Sequence, residues 1–254
     1  MKLHYQTLGE GRPLVILHGL FGSSDNWRGL TKQLTTYAQV IAVDLRNHGR
    51  SPHSSEQTYE LMADDLAELI DELTLGQIDI IGHSVGGKVA MVFAQRYPEL
   101  LRKLVVVDIA PRCYSDEHSG IFETLLALDL SLYSNRTEVD RTLQQSIPNK
   151  AVRQFLLMNL STDNEHLKWR INLPGLFETY PQLLQPVCEN DKIDIPSCFI
   201  RGGGSDYIQE QDIALINTSF PNSEIYTIEQ AGHWVHAEAP QLFVAKIIEF
   251  FDYD

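Results

Sequence analysis

Short apolar runs that alternate with amphipathic segments constrain the fold of this chain more than any other feature of its sequence. The runs lie at residues 13–19, 40–49, 77–84, 103–111, 196–204 and 223–233. Segments of helical periodicity lie between and after them, at 25–37, 58–74, 85–97, 209–219 and 239–252. Runs that are apolar on both faces are typical of parallel strands covered by helices. The alternation therefore predicts an α/β fold: a mostly parallel central sheet with right-handed crossovers and flanking helices.

Residues 112–190 interrupt this alternation. They contain no convincing strand, but they include helical patches such as "FETLLALDL" and "AVRQFLLMNL". The stretch is far longer than a usual connection of about 4–6 residues, so we predict an inserted helical cap. Because ligands bind at the carboxyl ends of strands in open α/β sheets, we expect this insertion to act as a lid. The predicted domains are a core of residues 1–111 and 191–254 and a cap of residues 112–190.

Charge and cysteine content bound the partners of the protein. The formal net charge of −14 disfavours nucleic acid and anionic bilayers, which would both repel the chain. The N-terminal residues lack the apolar region of a signal peptide, and no run approaches the roughly 20 apolar residues of a membrane span. Cys113, Cys188 and Cys198 are far apart and lack metal-ligand spacing, which favours a reducing compartment. We therefore expect a cytoplasmic protein with a small-molecule substrate and no metal or organic cofactor.

The stretch "IIGHSVGGK", residues 80–88, sets a serine between glycines after an apolar run and before a helix. Gly-x-Ser-x-Gly in this context is typical of a nucleophile elbow, a strained turn that exposes a serine hydroxyl. Glycines are needed beside the serine because a Cβ there would clash with the neighbouring strand and helix. The pattern predicts Ser84 as a catalytic nucleophile, and the alternative is a serine that serves only as a turn residue.

A serine nucleophile needs a general base, and His233 is the candidate. It follows the last predicted strand, after a glycine, in "EQAGHWVHAEAP". We interpret His236, three residues later, as a surface or packing residue. His18 and His48 lie in loops after earlier strands, where a hydrogen-bonding role is expected.

Two backbone N–H groups are expected to stabilise the oxyanion of an acyl-transfer reaction. Val85, directly after the nucleophile, would provide one of them. Leu20, in the loop "HGLFGS" after the strand "LVILHG", would provide the other. The alternative is that this loop is an ordinary turn.

Two aspartates could complete the catalytic group. Asp108 closes the strand "VVVDIAP", and a carboxylate at the tip of a buried strand calls for a partner such as His233. Asp206 lies in "RGGGSDY", after the strand that usually carries the acid. The usual acid falls three residues after the glycine that ends its strand; this position is Ser205 counted from Gly202 and Asp206 counted from Gly203. We favour Asp108 and keep Asp206 as the alternative.

At these residues the chain resembles the α/β-hydrolase superfamily and, within it, YbfF-type esterases, acyl-CoA thioesterase-like enzymes and their animal abhydrolase relatives. The resemblance covers essentially the whole chain and is carried by "LHGLFGSSDNW", "VDLRNHGRSPHS", "GHSVGGKVAM", "VVVDIAP", "WRINLPGL" and "AGHWVHAEAP". It implies a Ser84 nucleophile, a His233 base and ester or thioester substrates. In that group the acid position after the seventh strand is often not an aspartate, and the aspartate of "VVVDIAP" then becomes the acid. Asp206 departs from this pattern by offering a second carboxylate.

Three functions are compatible with this reading. The first is an esterase or acyl-CoA thioesterase that forms an acyl-enzyme on Ser84. The second is another serine-dependent chemistry on the same frame, such as C–C bond hydrolysis or perhydrolysis. The third is a non-catalytic binding protein, which a complete set of candidate catalytic residues disfavours.

Side chains of the predicted cap bear on the substrate. An acyl pocket could be lined by Phe122, Leu125, Leu126, Phe155, Leu156, Leu157, Trp169 and Phe177, although packing of the cap onto the core is the favoured interpretation of their helical spacing. The phosphates of coenzyme A could meet Arg112, Arg136, Arg141, Lys150, Arg153, Lys168 and Arg170. Acidic residues are interspersed among these cations, which favours solvated helix faces.

Overall fold

A computed structural model describes residues 1–163, 166–189 and 191–253 of the protein. Its strands are β1 (Tyr5–Leu8), β2 (Pro13–Leu17), β3 (Gln39–Val43), β4 (Ile78–His83), β5 (Leu101–Val107), β6 (Leu160–Asp163), β7 (His166–Trp169), β8 (Ser197–Gly202) and β9 (Ser223–Ile228). Its α-helices are α1 (Arg28–Leu34), α2 (Tyr59–Glu72), α3 (Val85–Arg96), α4 (Ser119–Leu126), α5 (Arg136–Leu143), α6 (Lys150–Leu157), α7 (Leu173–Leu183), α8 (Asp212–Ser219), α9 (Val235–Glu238) and α10 (Pro240–Phe251). Short 3₁₀ turns cover Ser24–Trp27, Pro98–Leu100 and Leu130–Leu132.

The central sheet has the strand order β1-β3-β2-β4-β5-β8-β9. Strand β1 pairs antiparallel with β3, and the other neighbours are parallel. The predicted mostly parallel sheet with flanking helices is therefore confirmed. Strand β1 was not predicted, because its four residues are half-buried or exposed and lie at the edge of the sheet.

Apolar layers cover both faces of the sheet. One layer packs α2 and α3 against the sheet around residues such as Leu66, Val89 and Phe93. The opposite layer packs α1 and α10 around Leu34, Phe243 and Ile247. Side chains of the central strands β2, β4 and β5 are almost wholly buried because both of their faces are covered. Among the described residues, no helix is long and apolar enough to cross a bilayer.

Residues 112–190, called the inserted segment from here on, connect β5 to β8, which are neighbours in the sheet. The segment contains helices α4 to α7, and it also contains the antiparallel hairpin of β6 and β7. The expectation that this region has no strand was therefore wrong. The two strands are short and largely exposed and pair only with each other, so they lack the apolar pattern of a sheet core. The predicted domain boundary at Asn190 lies outside the described residues.

Two asparagines attach the inserted segment to the core. Asn172 Nδ2 donates to Asn47 Oδ1 at 2.9 Å, and Asn172 N–H donates to the Asn47 carbonyl at 2.9 Å. Asn47 is fully buried and has a φ of 65°, a left-handed conformation that asparagine tolerates better than most residues. The motifs "RNHG" and "WRINLPGL" are thus two halves of one contact.

Candidate active site

Ser84 lies at the turn between β4 and α3 with a φ of 52° and a ψ of −120°. A positive φ is unfavourable for a residue with a Cβ, and such strain is often found at functional sites. The neighbouring glycines make the turn possible. A Cβ on Gly86 would lie 2.5 Å from the His18 carbonyl oxygen, and one on Gly82 would collide with the Gly86 carbonyl. The turn therefore holds the serine between the strand and the start of the helix.

Asp108 and His233 form a pair at the carboxyl ends of the strands. Asp108 follows β5 with a φ of 51° and is fully buried. Its Oδ2 lies 2.8 Å from Nδ1 of His233, and its Oδ1 accepts the N–H of Gly202 at 3.1 Å. Ser205 Oγ donates to Oδ2 as well. With Nδ1 directed to the carboxylate, Nε2 is the ring nitrogen available for proton transfer.

Asp206, the alternative acid, lies apart from this pair. Its side chain is exposed, and within the described residues its carboxylate forms no hydrogen bond or ion pair. Ser205 is the residue that turns inward from this loop. The position three residues after Gly202, where the acid is usually found, therefore holds a hydroxyl that donates to Asp108.

Tyr207 and His83 fix the position of His233. The Tyr207 ring stacks on the His233 ring with centroids 3.9 Å apart, and His83 Nε2 lies 2.9 Å from the His233 carbonyl oxygen. Neither residue was predicted to have a role. Tyr207 follows the Gly-rich turn after β8 and His83 precedes Ser84, so proximity to the motifs was the only available signal.

His236, His18 and His48 pack or hydrogen bond inside the protein. His236 is buried and stacks on Trp27 with centroids 4.1 Å apart, and burial lowers its pKa to about 3. His18 Nε2 accepts the Leu45 N–H at 3.0 Å, and His48 Nδ1 lies 2.9 Å from the Arg46 carbonyl oxygen. Burial disfavours the imidazolium and lowers the pKa of both rings, that of His48 to about 3.

The backbone around Leu20 and Val85 is close to Ser84. A Cβ on Gly19 would lie 3.1 Å from Ser84 Cβ, so the loop after β2 touches the nucleophile turn. Val85 is the first residue of α3, so its N–H lies at the N-terminus of the helix, where the helix dipole favours negative charge. Among the described residues, neither N–H donates to a side chain or to a backbone carbonyl outside the regular elements. Both N–H groups are therefore available to donate hydrogen bonds to an oxyanion.

One cavity of about 240 Å³ is lined by Ser84, His233, Leu20 and Val85 together. Among the described residues, the His233 ring bonds to Asp108, and no hydrogen bond joins it to the Ser84 side chain. Such bonds often tighten only when substrate binds. The remaining wall is mostly apolar and includes Ile109, Ile121, Val152, Leu183, Leu184 and Trp234.

Two of the eight apolar residues considered for an acyl pocket, Phe155 and Leu156, line this cavity. The other six do not line it, and five of them pack within the segment or against the core, as the favoured interpretation of their spacing predicts. Phe122, Leu125 and Leu157 are buried in the packing of the segment, while Leu126 is exposed. Trp169 and Phe177 are half-buried and pack at the edge of the core. Helical periodicity identified the buried face but not the part of it that is open to a ligand.

Five of the seven basic residues considered for coenzyme A contact carboxylates or a backbone carbonyl. Ion pairs join Arg153 to Asp140 at 2.7 Å, Lys168 to Asp163 at 2.6 Å and Arg170 to Asp25 at 3.2 Å. Arg112 pairs with Asp212 at 3.0 Å and lines a polar cleft that includes His233. Arg136 donates to the Leu160 carbonyl, and Arg141 and Lys150 are exposed. In the part of the chain that the structure describes, these cations therefore have separate partners and do not form one anion-binding surface.

Comparison with known proteins agrees with this arrangement. Residues 12–188 match the family model for the alpha/beta hydrolase fold. The chain is 38% identical over 250 residues to an sn-1-specific diacylglycerol lipase ABHD11 of Danio rerio, covering 95% of this chain and 79% of that protein. It is 36% identical over 251 residues to the esterase YbfF of Escherichia coli, covering 97% and 96%. A solved marine microorganism esterase is 40% identical with a TM-score of 0.96, covering 98% and 99%. The chain therefore belongs to the α/β hydrolase fold family.

Proposed function

We propose that the protein is a serine esterase that cleaves carboxylic esters through an acyl-enzyme on Ser84. The observation that carries this proposal is the shared cavity. The strained Ser84 turn, the His233 ring held by Asp108 and two uncommitted amides meet at one mostly apolar space. A nucleophile, a base with its orienting acid and oxyanion donors are the parts that acyl transfer requires.

In the proposed reaction, His233 accepts the Ser84 hydroxyl proton as the oxygen attacks the ester carbonyl. The N–H groups of Leu20 and Val85 donate to the resulting oxyanion. The His233 imidazolium, stabilised by Asp108, then gives its proton to the departing alcohol, and the acyl group stays on Ser84. Water, deprotonated by His233, attacks this ester, and the acid leaves as Ser84 regains its proton.

The inserted segment is proposed to act as a cap over this chemistry. Val152, Phe155 and Leu156 of α6 and Tyr180 of α7 line the cavity on the side opposite the sheet. Apolar walls suit the acyl chain of an ester and exclude water from it. The names of the relatives agree: the zebrafish protein is called a diacylglycerol lipase, and the bacterial one an esterase.

Acyl-CoA thioesters are the alternative substrate. The basic residues of the inserted segment are dispersed, and most of them are paired with carboxylates. Coenzyme A phosphates would have to displace these partners, since charge-assisted contacts provide most of phosphate recognition. Oxygen esters are therefore favoured.

A hydrolysis panel tests the proposal. It compares p-nitrophenyl acetate, butyrate and octanoate with acetyl-CoA and octanoyl-CoA, using wild type, Ser84→Ala and the exposed control Ser134→Ala. We expect turnover of the oxygen esters by wild type and Ser134→Ala, and none above background by Ser84→Ala. Preference for the CoA thioesters would move the proposal to a thioesterase. Equal turnover by Ser84→Ala and wild type would overturn it.

A further inference from the structure

Lys88 is a buried cation beside the candidate nucleophile. It lies on α3 one turn after Ser84, is 1% exposed, and lines the same cavity. Its N–H donates to the Ser84 carbonyl at 3.2 Å, so the first turn of the helix joins the two residues. The proposed chemistry assigns Lys88 no role.

Both polar contacts of Lys88 reach the inserted segment. Its Nζ donates to the Arg112 carbonyl at 2.9 Å and to the Gln185 carbonyl at 2.6 Å. It also lies over two aromatic rings, 4.9 Å from the centroid of Tyr114 and 5.6 Å from that of Tyr59. These distances fall within the range of cation–π attraction.

The two carbonyls belong to the two stems of the inserted segment. Arg112 begins the segment, and Gln185 lies close to its end. The stems also bond to each other. Tyr114 N–H donates to the Leu184 carbonyl at 2.9 Å, and Val187 N–H donates to the Pro111 carbonyl at 2.9 Å. Lys88 therefore connects α3, the helix that follows Ser84, to both stems of the inserted segment.

The ammonium is held without a counter-ion. Within the described part of the chain, no carboxylate forms an ion pair with it, and its titratable neighbours are Arg112 and the neutral thiols Cys113 and Cys188. Burial disfavours the charged form and lowers the pKa of Lys88 to about 7. An apolar side chain of similar length would fill the space without this penalty. Packing alone therefore does not account for a lysine here.

We propose that Lys88 is a positioning residue that ties both stems of the inserted segment to the nucleophile helix and so holds the acyl side of the cavity in place. The stems themselves supply Tyr114, Leu183 and Leu184 to the cavity wall. A loosened stem pair would displace that wall and leave Ser84, His233 and Asp108 where they are. This inference rests on the proposed acyl-enzyme function.

The test compares Lys88→Met with Lys246→Met. Lys246 is also buried and also lies over a tyrosine, Tyr226, at 5.2 Å, but it pairs with Glu224 and Glu249 and is remote from the cavity. Lys88→Met removes both hydrogen bonds to the stem carbonyls, and we expect KM for p-nitrophenyl octanoate to rise about tenfold with kcat little changed. KM for the acetate ester, whose acyl group is much shorter, should change less than about threefold. Lys246→Met should behave as wild type toward both esters.

Hydrogen exchange of the stem amides provides a readout that is independent of activity. In Lys88→Met, the Tyr114 and Val187 amides should exchange faster than in wild type and in Lys246→Met. If Lys88→Met fails to fold, Lys88→Arg, which keeps the cation and its donors, should fold and retain slow exchange at both amides. Unchanged exchange together with an unchanged octanoate KM would overturn the positioning role. If Ser84→Ala hydrolysed the esters as fast as wild type, the proposed function itself would be overturned.

Discussion

The Ser205 hydroxyl donates to Asp108 Oδ2, the same oxygen that lies 2.8 Å from Nδ1 of His233. The two residues follow neighbouring parallel strands, Asp108 after β5 and Ser205 after β8. The carboxylate that orients the histidine is thus itself held from two sides, because Gly202 N–H donates to its other oxygen at 3.1 Å. Three hydrogen-bond partners, Ser205, Gly202 and His233, therefore fix the direction of this buried carboxylate.

Replacing each aspartate by asparagine separates the two candidate acids. Asp108→Asn should lower kcat by roughly 10⁴, because an amide in this position favours the wrong histidine tautomer. Asp206→Asn should leave kcat within about twofold, since an exposed side chain that touches no catalytic group contributes little. Steady-state hydrolysis of p-nitrophenyl butyrate measures both. A large loss in Asp206→Asn with a small one in Asp108→Asn would reverse the assignment.

Removing the Ser205 hydroxyl should weaken catalysis without abolishing it. Ser205→Ala leaves the buried Asp108 carboxylate with one donor fewer, a change of about 1.5–3 kcal/mol for a hydrogen bond to a charged group. We expect kcat to fall about tenfold while KM stays the same, because the substrate does not touch Ser205. A wild-type kcat in a folded Ser205→Ala protein would contradict a supporting role for this hydroxyl.

The acid can be moved between the two strands. In the double variant Asp108→Asn/Ser205→Asp, the new carboxylate extends from the loop after β8 toward the position of Asp108 Oδ2. We expect kcat at least about tenfold above that of Asp108→Asn alone, because a carboxylate again faces His233. Asp108→Asn/Ser205→Ala is the control. The same kcat in both double variants would mean that a carboxylate at residue 205 does not reach the histidine.

Buried neutral histidines predict loss of stability in acid. The pKa of His236 and of His48 is lowered by burial from 6.5 to about 3, and that of His83 lies well below its ordinary value. Between pH 6.5 and about 3, the unfolded chain binds protons that the folded chain does not. The free energy of unfolding should therefore be highest above this window and fall as the pH decreases through it.

His236→Phe keeps an aromatic ring against Trp27 and removes one of these protons. Its free energy of unfolding should fall less steeply with pH than that of wild type, by at most about 1.4 kcal/mol per pH unit. Urea unfolding at pH 7, 6, 5 and 4 measures the slope, with the exposed residue variant His166→Phe as control. Parallel slopes for wild type and His236→Phe would exclude His236 as a contributor.

Local pattern was sufficient for most of the fold. The central strands were predictable because both their faces are buried, and the helices because one face of each packs on the sheet. Strand β1 and the hairpin of β6 and β7 escaped prediction for a common reason. These strands are short, and most of their residues are polar or partly exposed. They are recognised by the strands with which they pair and not by a hydrophobic pattern of their own.

The positions of site residues that directly follow strands could be predicted from the sequence. The positions that depend on how a loop turns could not. Ser84 and His233 follow recognisable strands, so their approach to one edge of the sheet follows from the parallel topology. Asp108 and Asp206 both follow strands too, and only the turn after β8 decides that Ser205 faces inward. The role of Lys88 could not be predicted from the sequence, because its hydrogen-bond partners, the carbonyls of residues 112 and 185, are distant in the chain.

The most direct test of the central claim is whether Ser84 forms a covalent bond to an ester-like inhibitor. The protein is incubated with a fluorophosphonate, digested, and mapped by tandem mass spectrometry, with Ser84→Ala treated in parallel. We predict one modified residue, Ser84, loss of hydrolysis in proportion to its modification, and no label on Ser84→Ala. Full hydrolytic activity after Ser84 is modified, or inactivation through a label on another residue, would contradict it.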